Sequence, residues 1–233
     1  MRTLERSDNR LLAALPAPDR RRLLVGREPV ELNFADTLSE PGERIRHVYF
    51  PIDSSISLIA SIDGHSQLEV GLVGNEGVLG ASLMLGVNSS PTAALVQGAG
   101  LAWRIDAATF RRELKQSSIL RRGVNRYLSV SMGQLALAAA CTRFHFVEGR
   151  LARRLLMTRD RACSNSFQIT QEFLAHTLGV RRAGITRAAS GLQQRNLIYY
   201  RRGRLEIRDL PGLEAAACSC YQRAKEIYAN VMR

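Results

Sequence analysis

The chain has 233 residues, 45% of them apolar and 23% charged, enough to bury the core of one large domain or two modest ones. No stretch is long and apolar enough to span a bilayer, and the segment from Met1 to Leu24 is charged and broken by Pro16 and Pro18. That reads against a signal peptide and sets a cytoplasmic, non-membrane protein as the expectation. The formal net charge is +12, and only two of the 33 basic residues are lysines (Lys115 and Lys225), so a polyanionic partner suited to arginine is expected.

In chain order, residues 8–24 predict one or two short amphipathic helices with Leu11, Leu12, Leu15, Leu23 and Leu24 on the apolar side. Residues 29–106 change character. Short alternating or β-branched runs at 44–50, 55–62, 67–73, 92–97 and 100–105 are separated by Pro41-Gly42, Pro51-Ile52-Asp53, Asp63-Gly64, Gly74-Asn75 and Gly98. Asp63-Gly64 between two such runs is a hairpin signal. Regularly spaced short strands predict a small antiparallel barrel or jelly roll.

From Ser118 there is no proline, and glycine occurs only at 123 and 133 until the pattern ends near 147. Leu120, Val124, Tyr127, Ser131, Leu135, Ala138 and Thr142 recur at steps of three and four, with Leu128 beside Tyr127, which predicts a long helix with an apolar-to-small seam. A second copy of the helix could pack on that seam; packing back onto the β domain is the alternative, and both can hold. Residues 148–161 continue as a helix carrying Leu151, Leu155 and Leu156, Cys163 to Phe167 reads as a polar connector, and Asp209 with Pro211 opens a C-terminal helix. The expected class is α+β, with a sensor-like domain over 1–117, a linking helix over 118–147 and a C-terminal domain over 148–233.

The segment 169–198 (ITQEFLAHTLGVRRAGITRAASGLQQRNLI) carries the functional reading. Thr170 can cap a helix, with Gln171 beside it and Glu172 in the first turn, Leu174 and Leu178 supply its buried side, and Gly179 permits a sharp turn. Val180, Ile185, Ala188, Ala189 and Leu192 then share one face of a second helix that Asn196 would stop. Two helices about a glycine turn, over residues 170–193, fit a helix-turn-helix. On the opposite face Arg182, Ala183, Thr186, Arg187 and Ser190 form a stripe, flanked by Arg181, suited to base edges and phosphates. LIYYRRGRLEI (197–207) reads as two short strands around Arg202-Gly203, a wing with Arg201, Arg202 and Arg204 at its tip. Between 181 and 208 there are eight arginines against one acid, Glu206, so the charge is concentrated where the motif lies. A buried helical hairpin with a solvated arginine face is the bland alternative.

These features, in this order, resemble the Crp/Fnr superfamily of transcription regulators: a short helical start, a cyclic-nucleotide-binding-like β-roll or jelly roll, a long dimerisation helix and a winged helix-turn-helix. The resemblance implies a homodimer that binds double-stranded DNA at a two-fold-related operator and contacts RNA polymerase, with half-sites about 34 Å apart. It implies base contacts from Arg182 and Arg187, with Thr186 where a small residue is common. A glutamate often follows the first of these arginines, and here Ala183 stands there, so a different operator is expected.

Cyclic-nucleotide binders of the family carry a Gly-Glu pair for the ribose and an Arg-Ser pair for the phosphate. The corresponding residues are Gly80-Ala81 and Pro91-Thr92, which lack the carboxylate and the guanidinium, so cyclic AMP is not expected and the effector is unspecified. Gly71, Gly74, Gly77 and Gly80 recur every three residues, but without a following GK[ST] they do not make a P-loop. No cysteine precedes Cys141, which excludes the family's N-terminal iron–sulfur arrangement. Cys218 and Cys220, two apart on one expected helix, would point to different sides, and His47, His65, His145 and His176 lack metal spacing, so neither a metal nor a cofactor is expected. Cys141, Cys163, Cys218 and Cys220 make no disulfide framework and suit a reduced compartment. HExxH, GxSxG and paired catalytic carboxylates are missing from the sequence, and an enzyme is not expected. The remaining alternative is a β-roll sensor of a small molecule or redox state acting through protein contacts.

Overall fold

In the computed structural model the described residues are 9–62, 66–162 and 164–233; the Asp63-Gly64 turn, His65 and Cys163 lie outside them. The chain divides into two compact units. One holds the residues up to Leu58 with Leu72–Met132 and Tyr228–Arg233, and the other holds Ile59–Gly71 and Gly133–Ile227.

The first unit begins with α1 (Arg10–Ala13) and α2 (Ala17–Leu24). Asn9 caps α1 by accepting from the Leu11 and Leu12 amides, and its Nδ2 donates to Pro51 O (3.0 Å) and Gly77 O (2.8 Å). That buried side chain satisfies the helix start and two loop carbonyls together. Strand β1 (Val30–Leu32) pairs antiparallel with β7 (Gly100–Asp106), which pairs antiparallel with β3 (His47–Pro51). A second sheet runs β2 (Thr37–Ser39), β6 (Ala93–Gly98), β4 (Ser55–Ile62), β5 (Ser66–Val73). Leu32, Tyr49, Ile56, Val73, Ala94, Val96 and Ala102 form one buried cluster. A short 3-10 helix, Ala81–Leu85, interrupts the strands. The α+β reading and the antiparallel roll are as the sequence leads one to expect.

Helix α3 (Ala107–Gln116) follows β7 directly and is capped by Asp106, whose carboxylate accepts from the Thr109 amide at 2.8 Å and pairs with Arg27 at 2.8 Å. Chiefly through the Thr109 amide, the carboxyl is held down to about 2. Since the folded pKa lies below the unfolded one of about 4, this stabilisation is complete above that pH and disappears as the pH falls through about 2. Asp106→Ala is therefore expected to cost about 1 kcal/mol at neutral pH. The difference between variant and wild type, read from urea unfolding, should shrink toward zero in acid; a gap unchanged in acid would refute the cap.

Helix α4 (Ser118–Phe144) is long, as its composition requires, and its seam residues divide between the core and the surface. Leu120, Val124 and Tyr127 are buried in the first unit's own core with Leu11, Leu12, Leu15, Phe110 and Leu114, and Leu128 packs against the same cluster. Tyr127 fills the space beside Gly77, where a Cβ would fall 2.2 Å from its Oη. The Ser131 hydroxyl donates to Tyr127 O within the helix, and Ala138 is half-buried. Of the eight seam residues only Leu135 and Thr142 are exposed. The amphipathic α1 and α2 take the face that the heptad pattern offered to a second copy. Met132 (71% exposed), Leu135 (44%), Ala136 and Ala139 form the exposed apolar stripe instead.

The second unit packs α5 (Val147–Ala162), α6 (Gln171–Leu178), α7 (Arg182–Gln194) and α8 (Leu210–Ala216) around Leu151, Leu155, Leu156, Leu174, Ile185, Leu192 and Leu205. Each such side chain contributes about 1.5–3 kcal/mol by leaving water. A three-stranded sheet completes the unit, in the order β8 (Ser166–Gln168), β10 (Arg204–Ile207), β9 (Ile198–Arg201). Strand β8 replaces part of the expected polar connector: its three residues are held by pairing with β10, a non-local partner. Within this unit Arg154, 2% exposed, pairs with Glu69 at 2.8 Å and donates to Thr158 at 2.5 Å. The C-terminal segment is two helices, not one. Helix α8 ends at Ala216 and α9 (Cys220–Met232) starts four residues later. Cys218 thus lies off the helix that Cys220 opens, and the expectation that their side chains diverge does not hold.

Candidate nucleic-acid interface

Thr170 caps α6 by accepting from the Phe173 amide at 3.1 Å, and α6 ends at Gly179 in the left-handed conformation (φ 61°). That backbone favours glycine and swings the chain into α7 within three residues. Leu174, Ala175 and Leu178 from α6 and Ile185, Ala188, Ala189 and Leu192 from α7 are buried together. Their burial fixes the rotation of α7, so the stripe named from the sequence faces outward: Arg181, Arg182, Ala183, Thr186, Arg187 and Ser190 are all exposed. Arg181 sits at the N-cap without a side-chain cap, leaving first-turn amides of α7 for an anion. Asn196, left-handed at φ 56°, ends the helix as anticipated.

The wing forms with the register 201↔204, 200↔205, 199↔206 and 198↔207. Its two-residue turn places Arg202 (φ 49°) and Gly203 (φ 78°) in the left-handed region, the geometry of a tight hairpin. Three contacts join the wing, α6 and α7 into one surface. The Ile169 amide donates to Gly203 O at 2.7 Å, and Tyr200 Oη donates to Ile169 O at 2.7 Å. Thr170 therefore stands beside the wing turn, its Cγ2 4.0 Å from where a Cβ on Gly203 would be. Next to it the half-buried Gln171 accepts from Thr186 Oγ1 at 2.7 Å, so Gln171 and Thr186 brace each other across the two helices.

The eight arginines of this stretch divide by their partners. Arg195 pairs with Glu148 at 2.5 Å, Arg208 lies over the Tyr199 ring at 4.7 Å, and Arg204 donates to Ser166 Oγ at 3.3 Å. The side chains of Arg181, Arg182, Arg187, Arg201 and Arg202 make no hydrogen bond or ion pair among the described residues. Exposed guanidiniums of this kind can form paired, charge-assisted hydrogen bonds to external anions. Arg204, which the sequence singles out as a wing contact, is exposed, and its Nε donates to Ser166 Oγ on the neighbouring strand.

In the first unit the degenerate cassette falls in two places. Gly80 (φ 92°) precedes the 3-10 helix and Ala81 is buried, whereas Pro91 is exposed and Thr92 O accepts from Ser90 Oγ at 2.6 Å. None of the four brings a charged group to the roll.

Residues 149–216 match the family model described as a Crp-like helix-turn-helix domain. No curated protein matches the sequence. Among solved structures, a protein from Eubacterium rectale described as a Crp/Fnr-family transcriptional regulator is similar with a TM-score of 0.69 at 16% identity, covering 92% of this chain and 98% of its own. FixK2 from Bradyrhizobium japonicum gives 0.69 at 12% identity, with 83% and 99% coverage. A Crp-family regulator from Thermus thermophilus gives 0.68 at 17%, with 81% and 96% coverage. At these identities the likeness establishes the fold alone.

Proposed function

We propose, for a chain with a Crp-like helix-turn-helix on the fold of Crp/Fnr regulators, a cytoplasmic transcription regulator that reads duplex DNA as a homodimer and contacts RNA polymerase. The observation that carries this is the surface where five arginines, without a hydrogen bond or ion pair among the described residues, surround Thr170, Gln171 and Thr186. Arg182 and Arg187 read bases in the major groove, with Ser190 further along the stripe, while Arg181, Arg201 and Arg202 hold phosphates. The cassette at Gly80-Ala81 and Pro91-Thr92, without a carboxylate or guanidinium, favours a regulator that does not respond to cyclic AMP. No helix among the described residues is long and apolar enough to cross a membrane.

The test is a titration of labelled duplex at several salt concentrations. Affinity is expected to fall steeply with salt, and Arg202→Ala to flatten the logarithmic slope by about one per wing contact without changing sequence preference. A salt-independent Kd would contradict the reading.

Dimerisation is assigned to the exposed stripe of α4. Replacing Met132 and Leu135 by glutamate leaves the buried core untouched and is expected to give monomers in sedimentation, with much weaker operator binding. An intact dimer would move the interface elsewhere.

A further inference from the structure

The second unit gathers four metal-type donors that DNA binding does not use. Cys141, buried in the last turn of α4, and His145, just past its end, are four apart; the His145 amide still donates to Cys141 O at 3.2 Å. They therefore lie on one side of the helix end. Cys218 sits between α8 and α9, where its amide donates to Gly149 O at 3.1 Å. Gly149 allows this approach, because a Cβ there would fall 3.3 Å from that amide nitrogen. Cys220 opens α9 and is 3% exposed.

Cys141 Sγ and Cys218 Sγ are 3.6 Å apart, Cys220 Sγ and His145 Nδ1 are 3.5 Å apart, and all four donor atoms lie within 4.8 Å of one another. A tetrahedral zinc ion with Zn–S near 2.3 Å and Zn–N near 2.05 Å places sulfurs about 3.8 Å apart and sulfur and nitrogen about 3.6 Å apart. These two separations lie within about 0.2 Å of those values, and the other donor pairs, at 4.8 Å or less, have at most about 1.2 Å to close. A polynuclear iron–sulfur cluster spreads its ligands over a wider body, so the spacing suits a single ion.

Charge agrees with geometry. Three thiolates and a divalent ion leave one net negative charge in a largely buried place. The guanidiniums of Arg150 and Arg153 act on Cys141, and the Nε of each is buried without a hydrogen-bond partner among the described residues. A cleft of about 440 Å³ lined by Leu137, Phe144, His145 and Cys220 gives an ion a way in from solvent.

We propose that Cys141, His145, Cys218 and Cys220 bind one zinc ion as a closed Cys3His site, clamping the end of α4 to the start of α9. Binding takes no oxidant: the three thiols give their protons to solvent, and His145 ligates as neutral imidazole through Nδ1. Arg150 extends the consequence, because its Nη2 donates to Leu178 O at the end of α6, the first helix of the helix-turn-helix.

The experiment uses the reduced full-length chain, stripped of metal with a chelator and titrated with Co2+, then Zn2+. The wild type is expected to develop the visible bands of tetrahedral cobalt and a thiolate-to-cobalt charge-transfer band. Both should saturate at one Co2+ per chain and be bleached by one Zn2+. Cys141→Ser and His145→Ala should lose saturation at one equivalent. The pale spectrum of octahedral cobalt in the wild type, an unchanged titration in folded Cys141→Ser, or a Cys141–Cys218 disulfide forming in the presence of zinc would each overturn the site. The wild-type titration decides the matter even where a variant fails to fold, and its outcome is independent of DNA binding.

Discussion

Arg187→Ala is expected to abolish discrimination between operator and random duplex while leaving the fold intact. The side chain is exposed and makes no hydrogen bond or ion pair among the described residues, so its removal takes nothing from the folded state. Its backbone neighbours Ala188 and Ala189 hold α7 in the core and are unaffected. A bidentate contact to a base contributes about 1–3 kcal/mol of discrimination. Two half-sites double this, so a dimer should lose roughly 30-fold or more in specific affinity. Non-specific binding, carried mostly by phosphate contacts, should change far less. Equal losses on operator and random DNA would make Arg187 a phosphate contact and shift base reading to Arg182 and Ser190.

The largest stability effect is expected from Glu69→Ala. Arg154 is 2% exposed and Glu69 is nearly as buried, with Arg161 and Arg153 adding positive charge nearby. Removing the carboxylate leaves a buried guanidinium facing like charge, with Nη1 still donating to Thr158. Such a loss costs about 3–5 kcal/mol. The Arg195–Glu148 pair supplies the contrast: both partners are about half exposed, and Glu148→Gln is expected to cost under about 1 kcal/mol. Urea unfolding of the two variants should separate them clearly. Equal, small shifts would show that the Glu69 pair has little net worth.

What the sequence made legible was local. The Thr170 cap, the Gly179 turn, the 3.6-residue period of α7 and the Arg202-Gly203 hairpin each depend on residues a few positions apart, and the structure forms all of them. The misreadings concern long-range partners. The α4 period left packing within the chain and packing on a second copy both open, because nothing in a heptad shows that Leu11 and Leu12, more than a hundred positions earlier, pack against Leu120 and Val124. Strand β8 is too short to announce itself without β10. The cysteine cluster joins residues 77 positions apart. One signal was available, Cys141 and His145 at helical i,i+4 spacing, but the second pair was misplaced by reading one continuous helix through the break at 217–219.

The central claim is that the surface around Arg182, Thr186 and Arg187 reads a DNA sequence. Selection of bound duplexes from a random pool by the purified chain tests it most directly. The account predicts enrichment of one short motif in two inverted copies, centred about one helical turn apart, with enrichment lost in Arg187→Ala. A pool that stays random under the wild-type protein, or a motif that Arg187→Ala recovers unchanged, would contradict it.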